Sequence, residues 1–306
     1  MIEFDKEKLR EFLLFVKNKT NITSIELIEK DFYLCFLLSK LNLNEYIFKG
    51  GTCLAKVYLD YFRFSEDLDF TFLHQNLFNG KSTKSIKKIC KEKIDNFGKQ
   101  LELIGLDFIF DKSNKKYVEL GNNNKLVTFK VWYDSIFTNT LSFVKIQINF
   151  LEKIKFKPQI KEILPLIQNN IPNEDKTYFK DYLSFYEKKK LVVYDIKEII
   201  AEKIRSLLTR KAIKSRDSVD LLFIYQKFKI KPEEVLKETV EKTLFAMNSY
   251  EKYKDNFVLN KEKIKTTDFS YNEVKHLVIK SIKKEDFEKF IENLKPILDK
   301  IIDTLT

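Results

Sequence analysis

Two of the chain's six glycines are adjacent, at Gly50-Gly51, and they fall at a change of hydrophobic period. Tyr46-Ile47-Phe48 before them is a short apolar run, whereas Leu54, Val57, Tyr58 and Tyr61 after them follow helical spacing. A diglycine between a strand and a helix permits positive φ and lets an anion approach bare N–H groups. The helix that follows adds its own free N–H groups and positive dipole end. Lys49 precedes the turn, and Thr52 offers a hydroxyl at the helix start.

The sequence then reads Arg63-Phe64-Ser65-Glu66-Asp67-Leu68-Asp69-Phe70. Leu68 and Phe70 alternate with Asp67, Asp69 and Thr71, the period of a strand, so the two aspartates project from one face. Carboxylates held that close repel unless something compensates them. A divalent cation does so, and Mg²⁺ is usually held by one or two carboxylates plus substrate phosphates. Asp-Leu-Asp taken alone also suits an ordinary exposed strand face. The ordered conjunction of turn, helix and acidic strand is what points to an anion site beside a metal site.

A second segment runs from Glu198 through Glu202, Lys203 and Arg205 to Arg210, then Arg216-Asp217-Ser218-Val219-Asp220-Leu221. On a helix Glu198, Glu202 and Arg205 lie together, and Lys203 shares a side with Ile199 and Leu207. Lys203 is then either a snorkelling surface lysine or one aimed into a cleft. Asp217 and Asp220 share a face of the next helix; a salt-bridged helical hairpin accounts for the segment equally well. The chain carries 56 Lys plus Arg against 45 Asp plus Glu, a formal charge of +11 that favours polyanionic partners. Only five of the basic residues are Arg, and four of them (Arg63, Arg205, Arg210, Arg216) fall in these two segments. Guanidinium groups kept there suit bidentate recognition of phosphate, or equally an Arg–Asp pair. The lysine surplus suits either a solvated helix surface or an RNA-binding one.

Periodicity predicts helices over residues 4–17, from the capping pattern Thr23-Ser24-Ile25-Glu26 to about 41, and over 86–103. Strands are expected at 106–110, 125–133 and 141–150, with Gly121-Asn122-Asn123-Asn124 as a turn. Beyond 190 the pattern is helical, from a second box at Asp195-Ile196-Lys197-Glu198 through segments near 216–228, 232–247, 271–283 and 285–304. The expected architecture is α+β, a mixed sheet with flanking helices over 1–157 and a mainly helical part over 158–306.

Ile28-Glu29-Lys30-Asp31-Phe32, Lys49-Gly50-Gly51-Thr52, Arg63 to Phe70, Ala201-Glu202-Lys203-Ile204-Arg205 and Arg216-Asp217 to Asp220-Leu221 together resemble the AbiEii toxin-like nucleotidyltransferases. That family belongs to the DNA polymerase β-type nucleotidyltransferase superfamily, and the resemblance covers about residues 25 to 225. It implies transfer of a nucleoside monophosphate from an NTP, with pyrophosphate leaving. By position it implies that Gly50, Gly51 and Thr52 hold the triphosphate, with Lys49, Arg63 and Ser65 flanking, and that Asp67 and Asp69 bind Mg²⁺. Lys203 would contact the triphosphate, and Asp217 would assist near the acceptor or metal. It also implies an acceptor such as transfer RNA and an antitoxin partner that often contains a winged helix. The chain departs from the pattern in one place. Where a third carboxylate is expected on a later strand, Phe143 to Phe150 carries Gln147, a neutral amide that cannot act as a base.

Two other functions remain compatible with the residues: a nucleotidyltransferase-like fold used only to bind nucleic acid or a protein, and a metal-dependent nuclease using the same aspartates. Zinc chemistry is disfavoured, because His74 and His276 are far apart and no cysteine cluster lies near either. Cys35, Cys53 and Cys90 show no C-x-x-C spacing, which suits a reducing, cytoplasmic compartment. The longest apolar run, Phe32 to Leu38, is too short to span a membrane, and the acidic start Met1-Ile2-Glu3-Phe4-Asp5 is unlike a signal peptide.

Overall fold

The computed structural model describes residues 4–306 except 21, 168–170, 267, 268, 270 and 274, with the backbone alone at 265, 266 and 271. The first three residues of the acidic start and part of the expected 271–283 helix lie outside the described residues. The chain divides into two compact units, one of Met1–Asp60, Phe64–Leu151 and Ile160–Val193, the other of Tyr61–Arg63, Glu152–Gln159 and Tyr194–Thr306. The expected single boundary after residue 157 gives way to several crossings, because two strands beyond it complete the first unit's sheet.

The first unit contains α1 (Lys6–Thr20), α2 (Ile25–Lys40), β1 (Tyr46–Lys49), α3 (Gly50–Cys53), β2 (Asp67–Phe72), α4 (Thr83–Ile104), β3 (Val118–Gly121), β4 (Leu126–Asp134), β5 (Leu141–Asn149), β6 (Gln159–Glu162), α5 (Asn173–Tyr178), α6 (Lys180–Leu183) and β7 (Lys190–Val193). Its seven strands lie in the order β3-β4-β5-β2-β1-β7-β6. β2 is antiparallel to β1 and parallel to β5, so the sheet is mixed. Leu68, Phe70, Val127, Phe129, Ile146 and Ile148 are fully buried from these strands. Each stabilises the fold by about 1.5–3 kcal/mol through burial, and together they lock the register of the acidic strand. A one-residue slip would turn that apolar set outward. α2 is capped by Ser24, one residue later than the first residue of the expected box: its hydroxyl accepts from Leu27 N–H at 3.3 Å.

The stretch 106–110 is not a strand. It makes a single bridge, in which Trp132 N–H donates to the Asp107 carbonyl at 2.9 Å. The Phe110 ring instead fills the space beside Gly98 in α4, where an added Cβ would meet it at 2.0 Å.

The second unit contains α7 (Ile196–Thr209), α8 (Ser215–Phe228), α9 (Leu236–Ser249), α10 (Glu251–Thr266) and α11 (Lys284–Leu305). Asp195 caps α7 as expected, accepting from Lys197 N–H at 2.8 Å. The described residues of 271–277 form two short 3₁₀ turns rather than a long helix. No described helix is long and apolar enough to cross a membrane.

Candidate active site

Asp67 and Asp69 stand on β2 with β1 on one side and β5 on the other. Lys49 pairs with Asp69 across β1, and Asp67 and Asp69 pair with Lys145 and Gln147 across β5. The neutral amide therefore sits directly beside Asp69, in the place anticipated for a third carboxylate. Both aspartates are half-buried, alternating with the fully buried Leu68 and Phe70.

The diglycine meets the acidic strand directly. Gly50 has φ +77°, and a Cβ there would fall 2.2 Å from Asp69 Oδ2 and 2.9 Å from its Cβ. Glycine is required twice over, for the left-handed backbone and for the space. The Asp69 carboxylate thus packs against the bare face of Gly50. Thr52 is buried, and its hydroxyl donates to the Asp67 carbonyl at 2.5 Å, fastening α3 to the start of β2. Ser65 lies half-buried in the loop leading into β2.

Two lysines that the spacing did not single out serve the carboxylate face. Lys145 Nζ is 2.9 Å from Asp67 Oδ2. Lys30 is held by a hydrogen bond to the Phe143 carbonyl; burial lowers its pKa, while Glu66 and Asp67 favour the charged form and Lys145 opposes it. Lys30 belongs to the Glu29-Lys30-Asp31 run, whose members turn to different neighbours. Glu29 accepts from the Ser135 hydroxyl at 2.6 Å and from Ile136 N–H at 2.8 Å. Burial raises the Glu29 pKa against those two bonds. Asp31 pairs with the buried Lys56 at 2.6 Å, tying α2 to the turn of chain that continues α3. The signal for Lys145 was available in principle, since it shares a strand face with Gln147.

The remaining expected residues lie in the second unit, in one buried ion cluster. Arg63 is 1% exposed and grips Asp220 with both arms of its fork, at 2.6 and 2.7 Å. A guanidinium so engaged has a planar carboxylate partner within the second unit. Lys203 Nζ lies 2.6 Å from Asp217 and 2.6 Å from Asp220. Arg210 reaches Asp217 at 2.8 Å. Burial works to raise the Asp217 pKa, but the Lys203 ammonium and Arg210 guanidinium outweigh it and hold the carboxyl well below its usual range. The same balance, with Arg63 first among the cations, lowers Asp220. Among the described residues Arg63, Lys203 and Arg210 thus face Asp217 and Asp220, with Arg210 half-exposed.

Among the described residues no group of three or more acidic, His or Cys side chains could hold a metal alone. Two hard carboxylates fit a Mg²⁺ ion whose remaining ligands come from substrate phosphates. They do not fit a zinc site.

A mixed sheet flanked by helices, with a glycine turn packed on an Asp-x-Asp strand, defines a protein of the nucleotidyltransferase type. The family model described as "Nucleotidyl transferase AbiEii toxin, Type IV TA system" matches residues 37–304, and the chain belongs to that family. Two solved structures from Helicobacter pylori are similar to it. One, "Crystal structure of JHP933 from Helicobacter pylori", shares 14% identity with TM-score 0.44, over 92% of this chain and 94% of that one. The other, "Crystal structure of putative nucleotidyltransferase from H. pylori", shares 15% identity with TM-score 0.46, over 93% and 99%. No curated protein sequence matches the chain.

Proposed function

We propose that this chain moves a nucleoside monophosphate from an NTP to an acceptor hydroxyl on RNA, as the toxin of a toxin–antitoxin pair. The observation that carries the proposal is the packing of Asp69 against Gly50 with Asp67 beside it on β2. Asp67 and Asp69 would hold a Mg²⁺ ion, which would supply positive charge to the triphosphate and to the departing pyrophosphate. Gly50 and Thr52 keep the two carboxylates at fixed height by close packing and by the hydroxyl bond to the Asp67 carbonyl. Lys49, which pairs with Asp69 across the strands, and Gly51 and Ser65 are the other proposed phosphate contacts of the first unit. For Lys203 and Asp217 the roles implied by the resemblance, triphosphate contact and assistance near the acceptor, remain part of the proposal. The half-exposed Arg210 beside Lys203 and Asp217 supports the first. The charge of +11 supports a polyanionic acceptor, with transfer RNA as its first candidate. The family description supports a cognate antitoxin partner.

The test is incubation of the purified protein with each labelled NTP, Mg²⁺ and total RNA. Label should pass to RNA, and the Asp67→Ala, Asp69→Ala protein should lose about two orders of magnitude or more of that transfer. Undiminished transfer by the folded double variant refutes the assignment. Gln147 beside Asp69 favours a second reading, a binding module without turnover. Salt-sensitive RNA binding with no NTP consumption, unaffected by Asp69→Asn, would select it.

A further inference from the structure

The pairing of β2 with β5 sets Lys145 opposite Asp67 and Gln147 opposite Asp69. Phosphoryl transfer with two metals places two divalent ions about 3.5–4 Å apart, and carboxylates must answer both charges. This strand pair offers little for a second ion. No third acidic, His or Cys ligand joins Asp67 and Asp69 among the described residues. Lys145 already places an ammonium 2.9 Å from Asp67 Oδ2, with side chains 34% and 28% exposed, so neither group is freely solvated. Lys30 adds a second positive charge in the field of Asp67.

We propose that Lys145 takes the place a second divalent ion would occupy at Asp67, so that the strand pair holds a single divalent ion. Lys145 is then a positioning residue: it fixes the Asp67 carboxylate and sets the charge of the site. The proposal rests on the reading that Asp67 and Asp69 hold metal, and it accounts for the absence of a third carboxylate without requiring the site to be inert. An ammonium replaces the ion's charge, and Gln147 has no second ion to ligate.

The experiment is Mn²⁺ titration of the full chain without nucleotide, followed by calorimetry and by the paramagnetic resonance signal of free Mn²⁺. Wild type and Lys145→Arg should bind one ion with similar affinity. Lys145→Met should bind about tenfold more tightly, because a unit charge within a few ångströms has been removed. Gln147→Glu with Lys145 in place should still take one ion, and the Lys145→Met, Gln147→Glu protein should take two. Two ions in the wild type or in Gln147→Glu alone, or unchanged affinity in Lys145→Met, would overturn the proposal. Binding that survives in Asp67→Ala, Asp69→Ala protein would overturn the metal reading itself, which separates the two failures.

Discussion

Gly50 is held by two constraints that a single methyl group would violate. At φ +77° an L-residue pays about 1–2 kcal/mol for the left-handed backbone. The added Cβ would also stand 2.2 Å from Asp69 Oδ2, so the carboxylate would have to leave its seat. Gly50→Ala should therefore cost about 1–3 kcal/mol in urea unfolding and weaken Mn²⁺ binding at least as much as it weakens the fold. Full stability would show that the left-handed backbone at Gly50 tolerates a side chain without strain; unchanged metal affinity would show that Asp69 is not placed by Gly50. The diglycine was legible as a backbone demand, because adjacent glycines are rare in this chain. That the demand came from Asp69 was not legible, since register across β1 and β2 decides it. Arg63 shows the same limit: the sequence marked it as a guanidinium with a planar partner, but phosphate and Asp220 satisfy the same fork.

Elements were legible where their period ran long enough. α4, β4, β5, α7 and α8 were anticipated closely. β3, β6 and β7 were not, for each has only four residues and β6 is half-exposed or exposed throughout. α10 escaped for a different reason: its buried side includes Asn260, whose amide donates to the carbonyls of Leu207, Leu208 and Arg210, so a polar residue stands where apolar spacing would be sought. The box at Asp195 marked the start of α7 correctly, yet Glu198 does not close it. Glu198 is buried and accepts from the N–H groups of Lys155 and Phe156, both at 2.8 Å, and pairs with Lys242 of α9 at 2.5 Å. Lys242 also reaches Glu152 at 3.4 Å and the Lys153 carbonyl at 2.8 Å, so one ammonium joins α9, α7 and the segment entering the second unit. Burial opposes that charge, but its three glutamate neighbours raise the Lys242 pKa well above its usual value. Lys242→Met keeps the stem and removes the charge, leaving buried carboxylates unanswered. Its expected cost is about 3–5 kcal/mol in urea unfolding. Adding Glu198→Gln should restore part of it; a single variant within about 0.5 kcal/mol of wild type would sink this role for Lys242.

For the whole chain, ionic burial is distributed unequally between the units. Among the described residues eight charged ones are buried in the second unit, four of each sign: Arg63, Lys203, Arg205 and Lys242 against Glu152, Glu198, Asp217 and Asp220. In the first unit the buried charged residues among those described are Glu29, Asp31 and Lys56. Acid acts with opposite sign on Asp217 and Asp220 of the second unit and on Glu29 of the first. Asp217 and Asp220 have folded pKa values below the ordinary carboxylate value of about 3.9. Their contribution is fully present above that value and is lost as pH falls below it, where the folded state must take up protons against its preference. Protonation would then leave Arg63 and Lys203 buried without their counter-charges. Glu29, raised by burial, favours the protonated form in the folded state and contributes no such acid loss. Between about pH 4 and pH 2 the second unit should therefore open first. Hydrogen exchange measured across that range should show protection lost in α7 and α8 while β4 and β5 remain protected. In urea unfolding, the gap between wild type and Asp217→Asn should be widest near pH 6 and shrink towards pH 3. A gap that stays constant with pH would mean that Asp217 carries no depressed pKa, and simultaneous loss of protection in both units would mean that they unfold as one.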